Sequence, residues 1–372
     1  MRENEYQTMV RARVQEAIDG GATSFLSILA ETDGADPRLV RQILDENGYK
    51  DRIPAAPLPP QSLSWDASAF QEALPASDPA LGQWWYTSDT LERLARHVFD
   101  LRGGRRPFRI LCIGSPTMTP LLAGKGSDPA DVDLTVVEAD ADILDMIHDR
   151  HPQVRAFAPE EFLARVSTDR FHLCLLDPPW YREEMQSFFA CALAHLEIEG
   201  YILTSLPPLL TRPNILDERQ EYLQIISEMG SSVVFLSRKF LHYVVPRFEE
   251  AAFRDVDGFS GKPWRVADLL VCRKSEERDL QAARAGISLT PPLTKQRFCR
   301  QAREFRVFLG PGNGQAPQQT TIVPAKLFSS NVSRRAHDNR YPDVWTSEKV
   351  GASVEDMDVA RYVLSLWSEG LS

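Results

Sequence analysis

The chain has 372 residues, of which 43% are hydrophobic and 25% are charged, so it is long and apolar enough for two or three globular domains. Its formal net charge of −10 gives no general attraction to nucleic acid or to an anionic membrane. The five cysteines are scattered without a CxxC pair, which argues against a zinc site or disulfide framework and favours reduced, buried thiols. The sequence shows no signal peptide and no membrane-spanning apolar run, so we expect a cytoplasmic protein without a membrane partner.

Residues 1–51 predict a small N-terminal helical domain that is winged-helix-like. Its first helix ends at Gly20-Gly21, and its third helix begins at Asp36-Pro37 and ends at Gly48. Such a module leaves nucleic-acid binding open, but the charge does not indicate it, because the third helix mixes acids with its arginines. We favour an accessory or dimerisation role, so a homodimer is also left open.

A proline-rich linker at 52–79 separates this segment from an α/β domain at 80–275. Apolar runs predict strands at 108–114, 132–140, 154–158, 171–180, 200–208, 231–240 and 266–274. Runs that are apolar throughout and are separated by helices indicate a Rossmann-like parallel sheet covered on both faces, and the last two strands suit an antiparallel edge pair.

Residues 276–372 predict a C-terminal extension of unknown role. Basic residues cluster between Lys295 and Arg306, and an amphipathic spacing predicts a closing helix over 354–367.

The fourth strand of the α/β domain ends in Asp177-Pro178-Pro179-Trp180. The Asp177 carboxylate and the Pro178 carbonyl can accept hydrogen bonds from an amine and thereby orient its nitrogen lone pair. The two prolines make the loop rigid, so the acceptors are held in place before the substrate binds. Trp180 offers an aromatic face to a planar base or an ammonium group. A simple tight turn with a buried tryptophan is the structural alternative; we favour an active-site loop.

Earlier strand ends predict a nucleotide-like cofactor site. The first strand ends at Gly114-Ser115-Pro116, where a glycine lets the backbone approach a ligand closely. The second ends at Glu138-Ala139-Asp140, where a carboxylate can accept hydrogen bonds from ribose hydroxyls; Asp140 is the fallback for Glu138. Glu160, after the third strand, could reach an adenine amino group or could simply stabilise a helix N-terminus. No metal ligand set is predicted.

Five aromatic residues, at three different places along the sequence of the α/β domain, are candidates for the acceptor site. Trp85 and Tyr86 precede a helix, Tyr181 follows the loop, and His242 and Tyr243 follow a later strand. Core packing for the aromatic pair and a structural role for the histidine are the alternatives.

Together these motifs resemble the amino-directed class I S-adenosylmethionine-dependent methyltransferases, whose loop motif is [D/N/S]PP[Y/F/W]. Two families are similar over more of the chain. The elongation-factor lysine methyltransferases, once called N6-adenine methyltransferase-like proteins, have counterparts of residues 83–90, 114–117, Glu138 and 177–180. The branched-chain polyamine synthases also share a small N-terminal helical domain, but they carry an acidic GDDD turn where this chain has Gly114-Ser115-Pro116-Thr117.

The resemblance implies a transferase that uses S-adenosylmethionine, or its decarboxylated form, to alkylate an amino nitrogen. The missing acids favour methyl transfer over aminopropyl transfer to a polyamine. The acceptor is left open between a protein lysine, an adenine base and a polyamine. The alternative of another class is a non-catalytic module that binds nucleic acid or protein.

Overall fold

The computed structural model describes residues 3–49, 81–124, 131–164, 170–246 and 264–278, with shorter segments at 74–75, 77, 249–250, 253, 256–259, 289, 296–300, 305–309, 344–346, 351–352 and 360–364. The chain divides into two compact units. The first contains Met1–Ala73, Tyr86–Val244 and Lys262–Thr290, and the second contains Leu74–Trp85, Val245–Gly261 and Pro291–Ser372. Nearly all of the predicted linker lies outside the described residues, and the predicted domain boundaries stay predictions.

The N-terminal segment consists of three helices, as predicted: α1 (Glu3–Asp19), α2 (Phe25–Glu31) and α3 (Pro37–Glu46). Helix α2 begins at a capping box between Ser24 and Ser27. Helix α3 begins where the Asp36 carboxylate accepts the Arg38 amide proton. No strand of a winged helix occurs among the described residues 3–49. The Tyr6 hydroxyl donates to the Leu210 carbonyl over 2.9 Å, so these helices pack within the first compact unit.

A seven-stranded sheet in the order β3-β2-β1-β4-β5-β7-β6 forms the centre of the first unit. Its strands are β1 (Phe108–Ile113), β2 (Val132–Val137), β3 (Arg155–Phe157), β4 (Phe171–Leu176), β5 (Leu196–Leu206), β6 (Ser231–His242) and β7 (Val266–Lys274). Strands β1 to β5 pair in parallel, which confirms the predicted Rossmann-like sheet. The strand order reverses between β1 and β4, and ligands of such sheets bind at the carboxyl ends of these strands.

Six described helices accompany these strands. Helix α4 (Ser88–Asp100) precedes β1, and α9 (Ile215–Glu228) lies between β5 and β6. The connections between the parallel strands contain α5 (Thr119–Gly124), α6 (Ala141–Arg150), α7 (Pro159–Ala164) and α8 (Arg182–His195). Every side chain of β4 is buried, and Phe189 and Leu193 of α8 pack in the same core cluster. Four cysteines are free and buried within this unit, and burial raises the pKa of Cys112 to about 12.

The last two strands form the predicted antiparallel pair at one edge of the sheet. Strand β7 lies between β5 and β6, so β6 is the outermost strand at this edge and β3 is the outermost strand at the other. Burial gives the physical reason: eight of the nine residues of β7 are buried, whereas Val233 and Val234 of β6 are 46% and 50% exposed. Both strands have similar apolar sequences, so the sequence did not reveal which of them lies inside.

The second unit contains a four-stranded antiparallel sheet in the order β11-β10-β9-β8. Its strands are β8 (Gln296–Arg300), β9 (Phe305–Leu309), β10 (Val344–Thr346) and β11 (Gly351–Ala352). Part of the predicted basic cluster therefore lies on β8 and β9. Of the predicted closing helix, residues 360–364 are helical and the remainder lies outside the described residues. Across the described part of the chain, no helix combines the length and apolar character needed to cross a membrane.

Candidate active site

The carboxyl ends of β1 and β4 bring Gly114 and Asp177 together. The Asp177 amide donates to the Ile113 carbonyl over 3.2 Å, and the Gly114 amide donates to the Val137 carbonyl over 3.0 Å. Gly114 has φ +64°, and a Cβ there would lie 3.0 Å from a Phe188 ring carbon and 3.1 Å from the Asp177 carbonyl oxygen. Glycine is therefore required both by the backbone conformation and by the close approach of the loop.

The predicted cofactor residues lie at the ends of the first three strands. Ser115 is buried, and its Oγ has no hydrogen-bond partner among the described residues; Pro116 then begins a short 3₁₀ turn. Glu138 is 5% exposed, and its Oε1 accepts the Asp140 amide proton over 2.9 Å. Ala139 between them is half-buried.

Two of the predicted cofactor carboxylates stand at helix N-termini. Asp140 is fully buried and caps α6 by accepting from the Asp142 amide, so this carboxylate has a structural task. Glu160 is exposed in the first turn of α7. Of the acids proposed for the cofactor, Glu138 is therefore the one buried beside the β1 turn without a helix to cap.

Asp177 contacts two tyrosines that are distant from it and from each other in the sequence. The Tyr243 hydroxyl donates to Asp177 Oδ1 over 2.9 Å, and the Tyr86 and Tyr243 rings lie 5.0 Å apart across an antiparallel β-bridge. Burial raises the pKa of Asp177 to about 7, and hydrogen bonds with Ser205, Tyr243 and Tyr86 oppose that rise. Burial, together with the Asp177 charge, raises the pKa of both tyrosines well above the usual value, so each hydroxyl keeps its proton.

Trp180 is fixed by three neighbours. Its indole Nε1–H donates to Ser205 Oγ over 3.1 Å, and the Tyr243 ring meets it edge-on with the ring centroids 5.9 Å apart. The Arg265 guanidinium carbon lies 4.8 Å from the centroid of the Trp180 ring, within cation–π distance. Ser205 and Arg265 were not predicted. A polar residue near the carboxyl end of β5 could have drawn attention to Ser205, but no local signal separates Arg265 from other arginines.

The loop backbone is anchored by Arg212, which the sequence analysis also missed. Its Nη2 donates to the Trp180 carbonyl over 2.7 Å, while its Nε donates to both carboxylate oxygens of Glu218 over 2.9 and 3.1 Å. The Tyr181 amide donates to the Pro179 carbonyl over 2.7 Å, and the Tyr181 side chain is 39% exposed. Contacts from outside the loop thus add to the rigidity of its prolines.

The remaining predicted acceptor residues are not brought to Asp177 by any described contact. The backbone of His242 bonds to Thr87 and to the Thr90 hydroxyl, and burial, followed by the nearby Arg93 charge, lowers the pKa of its imidazole. Trp85 is half-buried and belongs to the second compact unit. Of the five predicted acceptor residues, Tyr86 and Tyr243 are the two that contact the Asp177 carboxylate in the described part of the chain.

Residues 77–242 match the family model described as "Probable N6-adenine methyltransferase". Among solved structures, the chain is similar to the branched-chain polyamine synthase of Thermus thermophilus, with 17% identity, a TM-score of 0.56, and coverage of 76% of this chain and 91% of that chain. The C9 mutein of that synthase gives 16% identity, the same TM-score, and coverage of 73% and 88%. Both were solved with N4-aminopropylspermidine and 5'-methylthioadenosine. No curated protein matches the sequence.

The chain carries a class I S-adenosylmethionine-dependent transferase domain. The predictions of an enzyme, of its transferase class and of its cofactor class are thereby confirmed, and the alternative of a non-catalytic module is not supported. The structural similarity, at this low identity, concerns the fold of the transferase and not its acceptor.

The residues at the β1 and β2 ends of the transferase fit a nucleoside-type cofactor. The buried Ser115 Oγ has no partner in the described part of the chain, and a ligand with polar groups would supply one. Gly114 turns the backbone at the end of β1 with a positive φ that favours glycine, and Glu138 is buried at the end of the adjacent strand β2. These three residues would hold S-adenosylmethionine.

Proposed function

We propose that this transferase methylates an amine nitrogen that is held at Asp177 and at the Pro178 carbonyl. The observation that carries this proposal is the hydrogen bond between the Tyr243 hydroxyl and Asp177 Oδ1 at the carboxyl end of β4. A carboxylate accepts about four hydrogen bonds, so Asp177 can accept one from an amine in addition to those from Tyr243, Tyr86 and Ser205. The Pro178 carbonyl accepts a second amine proton, and the nitrogen lone pair is then directed away from both acceptors.

The chain contributes orientation and proton transfer. S-adenosylmethionine, when bound at Gly114, Ser115 and Glu138, supplies a methyl group on a positively charged sulfur. Trp180 and Tyr243 limit the positions that the amine can occupy. Fixed geometry of this kind contributes most of the rate enhancement. The amine loses a proton as it is alkylated, and Asp177, with its pKa raised to about 7, can accept that proton near neutral pH.

Replacing the carboxylate with its amide tests the role of Asp177. We expect Asp177→Asn to bind S-adenosylmethionine in calorimetry as the wild type does and to lose about 100-fold or more of labelled methyl transfer. The acceptor panel contains an adenine-containing oligonucleotide, a lysine peptide and spermidine. Asp145→Asn, an exposed acid on α6, is the matched control and should keep wild-type activity. Unchanged activity in Asp177→Asn would contradict the proposed site.

Aminopropyl transfer to a polyamine is the second candidate, and the similarity of the fold to a polyamine synthase over 76% of this chain supports it. Incubation with decarboxylated S-adenosylmethionine and spermidine, followed by mass spectrometry, separates the two activities. An aminopropyl adduct without any methyl transfer would replace our proposal with this one.

An amine-bearing acceptor is supported at the level of chemical class, whereas a nucleic-acid partner, a homodimer and a cytoplasmic location stay predictions. The net charge of −10 still gives no support for nucleic acid as a general partner.

A further inference from the structure

We propose that Ser205 is a positioning residue for the transfer step, because its hydroxyl joins Trp180 to Asp177 and favours the ionised form of that carboxylate. This inference rests on the proposed function, since it concerns how the Asp177–Trp180 loop keeps its acceptor groups ready for the amine. Ser205 acts through Asp177 and Trp180 and is not itself placed against the amine.

The pairing of β4 with β5 places Ser205 beside the loop. The two strands run in parallel with Leu176 opposite Thr204, so the next residues along them are Asp177 and Ser205. Successive residues of a strand point to opposite faces of the sheet, so Thr204 and Ser205 serve different faces. Ser205 is fully buried, and its hydroxyl must therefore find its partners within the protein.

The hydroxyl of Ser205 has one proton, and its neighbours decide where that proton goes. The Trp180 Nε1–H lies 3.1 Å from Ser205 Oγ and can only donate, so the serine oxygen accepts there. The Tyr243 hydroxyl gives its own proton to Asp177 Oδ1 over 2.9 Å. The carboxylate is the strongest acceptor that Ser205 contacts, so the serine donates its proton to Asp177.

Asp177 therefore accepts from hydroxyls of three separate segments, which belong to Tyr86, Ser205 and Tyr243. Each of these donors favours the ionised form of the carboxylate. In the described part of the chain they use three of its about four acceptor positions, which leaves one for the amine. The second bond of Ser205, to the indole of Trp180, ties the orientation of that ring to the orientation of the carboxylate.

The charged and titratable groups around Asp177 keep one charge state while it titrates. Burial, together with the Asp177 charge, raises the pKa of Tyr86 and Tyr243 well above the usual value, so both stay protonated. The Arg265 guanidinium, 4.8 Å from the centre of the Trp180 ring, stays charged. A change in the pKa of Asp177 on replacing Ser205 therefore reports the loss of the serine hydroxyl.

Direct titration of the Asp177 carboxyl tests this proposal without any transfer. Infrared difference spectra, recorded against Asp177→Asn between pH 5 and 10, follow the protonated form of this one carboxyl. Ser205→Ala should raise its pKa above the wild-type value of about 7 by about one pH unit or more, because a hydrogen bond to the carboxylate is lost. Ser205→Thr keeps the hydroxyl and should restore the wild-type value. Thr204→Val removes a buried hydroxyl from the other face of β5 and should leave the value unchanged as the matched control.

The rate of labelled methyl transfer gives the second readout. Ser205→Ala should transfer about 5-fold or more slowly than the wild type at pH 7 and should recover part of this loss at pH 9, where more of Asp177 is ionised. Ser205→Thr should show the wild-type profile. A loss of the same size at both pH values would contradict the proposal, because a general structural defect does not depend on the ionisation of Asp177.

The infrared titration and the transfer assay fail in different ways. An unchanged pKa of Asp177 in Ser205→Ala overturns the proposal, and so does an equal rise in Thr204→Val. If Ser205→Ala does not fold, as judged by thermal unfolding and S-adenosylhomocysteine affinity, Ser205→Cys replaces it with the same direction of change, because a thiol is a weaker donor. The expected infrared result without methyl transfer to any acceptor by the wild type would contradict the proposed function alone.

Discussion

At the scale of single residues, Asp177 has two properties that depend on different neighbours. Burial raises its pKa, while the hydroxyls around it favour the ionised form and limit the rise to about 7. The folded state therefore holds this proton more tightly than the unfolded chain does. Ionisation of Asp177 thus reduces the free energy of unfolding as the pH rises from about 4 to about 7. A carboxyl with this balance can accept a proton from an amine at neutral pH.

The pKa of Asp177 predicts how methyl transfer depends on pH. Below pH 7 the carboxyl is protonated and can no longer accept the amine proton, so transfer should rise with pH and level off above an apparent pKa of about 7. The measurement is the rate of labelled methyl transfer under saturating cofactor between pH 5.5 and 9. The residual activity of Asp177→Asn should lack this rise. A rise of the same size in that variant would assign the titration to another group.

At the scale of elements, the loop after β4 is held by the segment that follows β5. Arg212 donates to the Trp180 carbonyl and is itself fixed by Glu218 at the start of α9. The loop thus keeps its shape through a contact between two connections of the sheet, in addition to the stiffness of its prolines.

Removing this anchor should reduce transfer without affecting the cofactor site. We expect Arg212→Met to lower kcat about 10- to 100-fold, because a small displacement of the acceptor groups is enough to misalign the reacting atoms. Calorimetry should show unchanged affinity for S-adenosylmethionine. Arg182→Met is the matched control: its ion pair with Glu221 joins α8 to α9, but both side chains are at least half exposed. Equal effects of the two variants would show that Arg212 has no particular role in holding the loop.

At the scale of the first compact unit, a buried acid joins the N-terminal helices to the sheet. Asp33, which is 2% exposed, lies 2.8 Å from Arg238 and 3.2 Å from Arg13, while its carbonyl accepts the Leu210 amide proton. Lys239 of β6 also pairs with Glu31 over 2.7 Å. Ion pairs and backbone bonds thus connect the end of α2 with both α1 and β6.

Neutralising this acid should weaken the unit as a whole. Asp33→Asn removes a buried carboxylate whose partners Arg238 and Arg13 have side chains that are 47% and 37% exposed, so we expect a loss of about 1 to 2 kcal/mol in the free energy of unfolding, measured by urea denaturation. Glu46→Gln breaks the exposed pair between Arg11 and Glu46 within the N-terminal helices and should change stability little. If the two variants unfolded at the same urea concentration, the N-terminal helices would not depend on Asp33 for their attachment.

The sequence alone determined the parallel sheet, the loop at residues 177–180 and the class of cofactor. Continuous apolar runs indicate strands that are buried on both faces of the sheet. The residues Asp-Pro-Pro-Trp themselves supply the rigidity and the hydrogen-bond acceptors of the loop. The sheet and the loop are therefore both encoded by local sequence. The tertiary structure alone decided which groups surround that loop. Tyr243, Arg265 and Arg212 reach it from three separate segments, and their distances depend on how β5, β6 and β7 pair. The order of β6 and β7 was likewise decided by burial, because similar apolar sequences leave both orders open until the whole sheet is packed.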